Sequence, residues 1–456
     1  MVALQDKVSE LASEFYVPGV AVGVLHEGQE QYAFAGITSV ENPLPVDATT
    51  LFQFGSTGKT YTATALVRLA EQGKVDLAAP VQRYLPELRL KGDGVASAVT
   101  VLQLLNHTAG WEGDLMEDMG NGDDALARYV TRMADLEQVS PLGSEVSYNN
   151  ASLSLAGRVI EKVTGTTYEQ AISDLLLQPL GLASTLFFPH EIITRRFSVG
   201  HTRHEDGRTT IAQPWAMPRS SAPAGGMSAT ASDQIGWARF HLGDGTAPDG
   251  TRLLSTASLQ QMQQPTVHTP GSALGDAVGT SWLLGDLDGV ATVAHGGTTN
   301  GQHSQFLLVP ERSFAVIAMT NSGPNGPQFN NHLVAWALQH FLDLAEPVRE
   351  PVQLSDAETA AYTGRYETIA VLVDVTGQQG QLSAQITIKP HVAAMLNASG
   401  EPVPEQPPIL LDMLSGPPDR FVHDEGTKGY FARGGDGAVS GIHLGGRLAT
   451  RSALVP

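Results

Sequence analysis

Ser56 and Lys59 stand three residues apart in Phe54-Gly55-Ser56-Thr57-Gly58-Lys59-Thr60, where a strand-like run (Thr50 to Phe54) gives way to a helix-like one (Tyr61 to Gln72). If a helix begins near Ser56, the hydroxyl and the amine share one face and the amine reaches the hydroxyl. A serine hydroxyl is a weak nucleophile at neutral pH, and a lysine activates it only when burial or nearby positive charge lowers the amine's pKa. A serine in the first helical turn also has backbone N–H groups and the positive end of the helix dipole aimed where an oxyanion would develop. Of the seven lysines, only Lys59 follows a serine at this spacing. An N-cap serine followed by a solvated lysine would read the same way, so the pair needs partners from elsewhere in the chain.

Two later stretches offer them. Ser147-Tyr148-Asn149-Asn150 is a polar loop immediately before an apolar-periodic helix, Leu153 to Val163, and projects a phenol and an amide two residues apart. The structural alternative is an asparagine N-cap beside a packing tyrosine. His295-Gly296-Gly297-Thr298 lies at the end of a strand, next to residues without side chains that would let a substrate approach backbone N–H groups. The same His-x-Gly spelling occurs at His26-Glu27-Gly28 and His443-Leu444-Gly445, so context and not spacing singles out His295; its alternative is a glycine bulge. His107, in Asn106-His107-Thr108-Ala109-Gly110, reads as a structural histidine in a turn. His201-Thr202-Arg203-His204 has no second cluster at metal-ligand spacing, so no metal or other cofactor is expected.

The elements that must position these groups follow from periodicity. Leu4, Val8, Leu11 and Phe15 mark an amphipathic helix over 3–15, and Gly19 to Leu25 with Gln31 to Ala35 read as a hairpin. Helices follow after Ser56, over Thr100 to Leu105, Gly122 to Ala134, Leu153 to Val163, Tyr168 to Leu177, Asp233 to His241 and Thr256 to Gln263. Strand periodicity returns at Thr280 to Leu284, Val290 to Ala294, Gln305 to Val309 and Phe314 to Thr320, before a long helix, Asn330 to Leu344. A sheet assembled from both ends of one domain with helices between is an α+β arrangement. A Pro- and charge-rich stretch near 346–354 reads as a linker between a domain over 1–345 and a second over 355–456. The latter's short alternating runs separated by Gly and Pro fit a small antiparallel barrel or sandwich. No catalytic constellation stands out there, so this domain is expected to restrict access to a cleft and to leave the chemistry alone.

Composition narrows the partners. The 456 residues carry 47 acidic against 27 basic side chains, a net charge of -20 that offers no basic patch to nucleic acid or anionic membrane. The absence of cysteine excludes thiolate nucleophiles, thiolate metal sites and disulfides. The first residues lack a basic start followed by an apolar block, which leads to the expectation of a cytoplasmic protein or an exported one whose leader has been removed.

Taken in order, Ser56-x-x-Lys59, Tyr148-x-Asn150 and His295-x-Gly297 resemble the motifs of the penicillin-recognising serine hydrolases: class C β-lactamases, DD-peptidases, D-aminopeptidases and family VIII-type esterases. Leu104 to Gly110, Ala224-Gly225-Gly226-Met227 and the run from His295 to Val309 resemble landmarks of the same family, over about residues 5–345. The resemblance implies a β-lactamase/transpeptidase-like fold, in which an antiparallel sheet flanked by helices meets an all-helical lobe at the active site. The tail resembles a lipocalin-like β-barrel. It also implies roles: Ser56 as acylated nucleophile, Lys59 assisting its deprotonation, and Tyr148 passing the proton to the leaving group and later activating water. Asn150 would hold the acyl side of the substrate, the N–H groups of Ser56 and Thr298 would form the oxyanion hole, and His295, Gly296 and Gly297 would line the substrate. The implied activity is ester or amide hydrolysis through an acyl-enzyme, on a small ester, amide, short peptide or β-lactam. Alternatives are a β-lactamase, a DD-peptidase or D-aminopeptidase, or a sensor that stays acylated; the oligomeric state is left open. Class C enzymes usually carry lysine where this chain has His295, which is mostly neutral at pH 7 and points away from a dedicated β-lactamase. Where they place a substrate-facing amide after Gly110, this chain reads Trp111-Glu112-Gly113-Asp114.

Overall fold

The computed structural model describes residues 2–115, 117–346, 350–396, 407–415, 419–423 and 427–452. Its centre is an eight-stranded antiparallel sheet in the order Gln29–Gly36, Gly19–His26, Phe314–Thr320, His303–Val309, Val290–Thr298, Leu283–Leu287, Gly275–Val278 and Val267–Ser272. The first and last parts of the domain meet where Gly19–His26 pairs with Phe314–Thr320. Because strand side chains alternate, each central strand serves two cores. Val20, Val22, Val24, Val316 and Ala318 pack under the helices Val2–Glu14 and Asn325–Leu342, which supply Leu4, Val8, Leu11, Phe329 and Leu333. Ala21, Ala315, Ile317 and Met319 face the opposite way, into a larger core shared with the helices Lys59–Glu71, Asn150–Thr164 and Ala231–Leu242. The α+β expectation is therefore met, with helices on both faces and a helical lobe over one end.

The sheet is longer than the sequence pattern foretold. Val267–Ser272 and Gly275–Val278 contain Pro270, Gly271 and Gly275, which weaken a strand reading; the pair lies at the sheet edge with an irregular register, where such residues are tolerated. The stretch expected as a strand from Thr280 begins only at Leu283, because Ser281 adopts φ 60° and gives both its N–H and its hydroxyl to Leu105 O. His295 to Thr298 do not follow a strand; they are its last four residues, paired with His303 to Phe306.

Beyond this sheet and its helices, Gly364–Glu367, Val371–Gln378, Gln381–Ile388, Ile409–Met413, Arg420–His423, Thr427–Arg433, Val439–Leu444 and Arg447–Arg451 close into an eight-stranded antiparallel barrel. Tyr366, Val373, Leu382, Leu411, Phe421, Phe431 and Ile442 fill it. Of the stretch expected as a linker, 347–349 lie outside the described residues, while Val352 and Leu354 already donate backbone hydrogen bonds to Met413 O and Gly380 O of the barrel.

Candidate active site

Ser56 sits in a single 3-10 turn, Gly55–Gly58, that leads directly into the helix Lys59–Glu71. Residues three apart are eclipsed in a 3-10 turn, so the tighter winding brings Lys59 under Ser56 more directly than an α-turn would. Lys59 Nζ lies 3.0 Å from Ser56 Oγ and donates to Ala224 O at 2.7 Å. The lysine is fully buried. Burial pulls its pKa well below the ordinary value of 10.5, the Asp114 carboxylate opposes that fall, and the Arg447 guanidinium adds to it. The amine therefore has a neutral, proton-accepting form in reach of the hydroxyl.

The turn is anchored to the sheet. Thr57 donates its hydroxyl to His295 O (3.2 Å), and Ser304 donates its own to Phe54 O (2.7 Å). Contact between the two segments is close enough to require glycine on both sides. A Cβ added to Gly297 would lie 2.8 Å from Ser56 N, and one added to Gly55, at φ 54°, would lie 2.6 Å from Thr298 N. The backbones of Ser56 and Thr298 thus border one small space.

Tyr148 enters from the helical lobe. Asn149, not Asn150, caps the helix Asn150–Thr164: its side chain accepts from Ser152 N at 2.8 Å and donates to Trp111 O at 2.8 Å. That cap fixes the preceding residue at the cleft, where the Tyr148 ring centroid lies 4.8 Å from Lys59 Nζ and the phenol faces the Ser56 hydroxyl. Burial raises the phenol's pKa above its usual range, against the Ser56 contact, so Tyr148 keeps its proton at neutral pH. Ser56, Lys59 and Tyr148, drawn from two segments far apart in sequence, are brought together.

Two histidines flank the tyrosine. His295 is buried, its ring 6.3 Å from that of Tyr148, with Nδ1 2.6 Å from Gly296 O. Burial first, and then the Lys59 charge, lower its pKa to about 3. His107, at φ 62°, lies tilted against the Tyr148 ring with centroids 4.5 Å apart and accepts the Asn149 N–H on Nδ1 (3.0 Å); burial lowers its pKa well below the ordinary 6.5. Both imidazoles are neutral, and neither Nε2 has a hydrogen-bond partner within the protein. His201 lies elsewhere: its Nδ1 meets Asn321 O and its Nε2 accepts from Val40 N.

Two residues of the cleft, Asp114 and Arg447, were given no role by the sequence pattern. Asn150 donates Nδ2 to Asp114 Oδ1 at 2.6 Å, and Asp114 Oδ2 accepts from Arg447 Nε at 2.7 Å. Burial works to raise the Asp114 pKa, but the charge and hydrogen bond of Arg447, with the Asn150 amide, more than offset it and keep the carboxyl below its usual range. Arg447 belongs to the barrel and stands 5.3 Å from the centroid of the Tyr148 ring. The expectation that the second domain brings nothing to the chemistry-bearing cluster is thereby corrected: a side chain 333 residues from Asp114 completes it. Its only sequence trace is the turn Gly445-Gly446, which sharply presents the next residue.

With this geometry described, comparison with known proteins is specific. The family model described as Beta-lactamase matches residues 4–341. Penicillin-binding protein 4 of Amycolatopsis lactamdurans is 36% identical over 322 residues, covering 70% of this chain and 84% of that protein. The crystal structure of SurE superposes with a TM-score of 0.77 at 26% identity, over 99% of this chain and 98% of that one, and SurE with D-Leu gives 0.75. The octameric penicillin-binding protein homologue from Pyrococcus abyssi shares the fold at 20% identity, with a TM-score of 0.66 over 98% of this chain and 99% of that one.

Proposed function

The chain belongs to the beta-lactamase family, and from that premise we propose that it is a serine hydrolase that cleaves an ester or amide through an acyl-enzyme on Ser56. The observation that carries this reading is the 3.0 Å separation of Lys59 Nζ and Ser56 Oγ at a fully buried lysine whose pKa is driven down. In the proposed reaction, neutral Lys59 takes the Ser56 proton as Oγ bonds to the substrate carbonyl carbon. The negative charge moves to the carbonyl oxygen, between the N–H groups of Ser56 and Thr298. Tyr148 gives its proton to the departing oxygen or nitrogen and recovers one from the Lys59 ammonium. Water then attacks the ester, activated by the same residues, and the freed acid leaves with Ser56 restored.

For the substrate, SurE with D-Leu supports a donor carrying a D-configured residue next to the scissile bond. The neutral His295 favours such a peptide, ester or amide over a β-lactam, since it offers no cation to a β-lactam carboxylate. Matched D- and L-amino-acid esters and amides, with nitrocefin beside them, test this: hydrolysis of the D-series faster than the L-series is expected, and equal rates would discard the stereochemical part. Ser56→Ala should abolish both turnover and labelling by a fluorophosphonate. Labelling that survives the substitution would refute the nucleophile assignment.

A further inference from the structure

The barrel meets the cleft through the turn over residues 443–448, with contacts at His443, Gly446, Arg447 and Leu448, while Ile369 N donates to Glu112 Oε1 in the loop before Asp114. His443 Nε2 lies 3.1 Å from Val146 O, Gly446 O accepts from Tyr148 N at 2.9 Å, and Leu448 N donates to Ser147 Oγ at 3.3 Å. Between them Arg447 reaches Asp114. From the far side, Ser272 Oγ meets His443 Nδ1 at 3.1 Å, which fastens the same turn to the edge strand of the sheet. The backbone that carries Tyr148 is therefore held by the barrel as well as by its own helix.

Asp114 extends this grip to the next motif residue. A carboxylate only accepts hydrogen bonds, so the Asn150 amide must present its NH2 to Asp114 and turn its carbonyl oxygen away. Without Arg447, the carboxylate that sets this orientation would lose its hydrogen-bonded counter-ion and with it the contact that fixes its own position. Arg447 and Asp114 touch neither Ser56 nor Lys59 by hydrogen bond; their effect passes through Tyr148 and Asn150.

We propose that the barrel turn over residues 443–448 is a positioning element of the active site, in which Arg447 pins Asp114, Asp114 orients the Asn150 amide, and Gly446 fixes the Tyr148 backbone. The inference rests on the acyl-enzyme reading above. It assigns the second domain a part in the acylation step itself, beyond control of access.

The test uses two substitutions in the full chain, Arg447→Met and Asp114→Asn, and the pH dependence of both p-nitrophenyl ester turnover and fluorophosphonate labelling. Charged and titratable groups around Lys59 are Asp114 from the loop after Gly113, Arg447 from the barrel, Tyr148, and the neutral His107 and His295. Asp114 raises and Arg447 lowers the lysine's pKa. The acid limb of the profile should therefore move up in R447M and down in D114N, each by on the order of one pH unit. kcat should fall by about tenfold or more in R447M while KM for the small ester stays within about twofold, as expected when reacting groups are misplaced and not unbound. Arg447→Lys, which keeps the charge, should return the limb toward that of the native chain. Limbs that stay unmoved, or that move together in one direction, overturn the proposal, because a purely structural salt bridge would not split them. If R447M fails to fold, the near-isosteric D114N decides alone by the direction of its limb. A native chain that neither labels at Ser56 nor turns over would instead overturn the acyl-enzyme reading, and this inference with it.

Discussion

The cleft and the barrel interior are filled on opposite principles. Around Ser56 the fold gathers the buried Lys59, His107 and His295 and the partly buried Asp114 within one cluster, and each of the two imidazoles keeps a nitrogen that finds no partner in the protein. Inside the barrel it buries Tyr366, Val373, Leu382, Phe421, Phe431 and Ile442, and the Tyr366 hydroxyl is satisfied by Tyr362 O at 2.6 Å. Burying an ionisable group costs free energy unless it is paired or neutralised, whereas burying apolar area returns about 25 cal/mol per Å². The barrel thus stabilises itself, while the cleft holds groups away from the protonation states they would adopt in water. Such displacement is a mark of chemistry when several groups share one cleft. Where the barrel meets the cleft, at the turn carrying His443 and Arg447, it too presents polar and charged groups.

If this contrast is right, substitutions in the cleft should cost activity and those in the barrel interior stability. The largest expected effect is Lys59→Met, which removes the proposed base and should lower kcat/KM for an ester by about 10⁴-fold, with a melting temperature no lower than that of the native chain because a buried amine has been replaced by an apolar side chain. A mutant that stayed within tenfold of native activity would break the comparison. Tyr148→Phe should cost on the order of 10² to 10⁴ in turnover by removing the proton donor; a loss below about threefold would move that role elsewhere. In the barrel, Phe421→Ala should cost about 3–5 kcal/mol of stability through the cavity it leaves. Measured well below the melting transition, its acid limb should coincide with that of the native chain, and a displaced limb would show that the two regions are less separate than their interiors suggest.

How far the sequence disclosed this arrangement depended on distance along the chain. Ser56 and Lys59 were legible because their relation is local: three residues, one turn, one face. The central strands from Gly19 and Phe314 were legible as short unbroken apolar runs, the mark of strands buried on both faces, and the closed barrel was foreshadowed by short alternating runs between glycines and prolines. Tyr148 and the stretch from His295 were singled out by local context, a polar loop before a helix and a strand end beside glycines, but their roles came from resemblance, since neither context tells what the residues face. The pairing of Asp114 with Arg447 was not legible, because an ion pair between a loop and the start of a barrel strand has no periodicity at all. The same absence hid Val267–Ser272, whose Pro270 and Gly271 argue locally against the strand that the sheet edge accepts.

The histidines sharpen the comparison through pH. Burial is the first cause in each case, and it lowers His241 and His295 to about 3 and His303 and His443 to about 4. All four folded values lie below the ordinary 6.5, so between them the unfolded chain binds more protons than the folded one. Their contribution is fully present above about pH 6.5 and is lost as pH falls through about 4 and then about 3. The melting temperature should therefore be level near neutrality and decline steadily below it. A melting temperature unchanged down to pH 4 would mean that these imidazoles gain protons without unfolding, and the cleft would then be more open to water than its packing implies.

The smallest effect separates nearness to the cleft from membership in it. Thr100 caps the helix Val101–Leu105, accepting from Gln103 N at 3.3 Å while Gln103 Oε1 accepts from Thr100 N at 2.9 Å. Two residues beyond that helix stands His107, against the Tyr148 ring. Thr100→Ala should cost about 1 kcal/mol, the usual value of a lost N-cap, and Thr100→Ser should cost less because it keeps the accepting oxygen. Neither changes a charge or a titratable group, so both should leave the acid limb and kcat of the folded enzyme where they were. A limb that moved in the alanine variant and returned in the serine one would show that the cap sets the His107 ring and, through it, the proton affinity of the cleft. The stability and the chemistry of this lobe would then be one property, and the contrast with the barrel would rest on connectivity and not on what each interior contains.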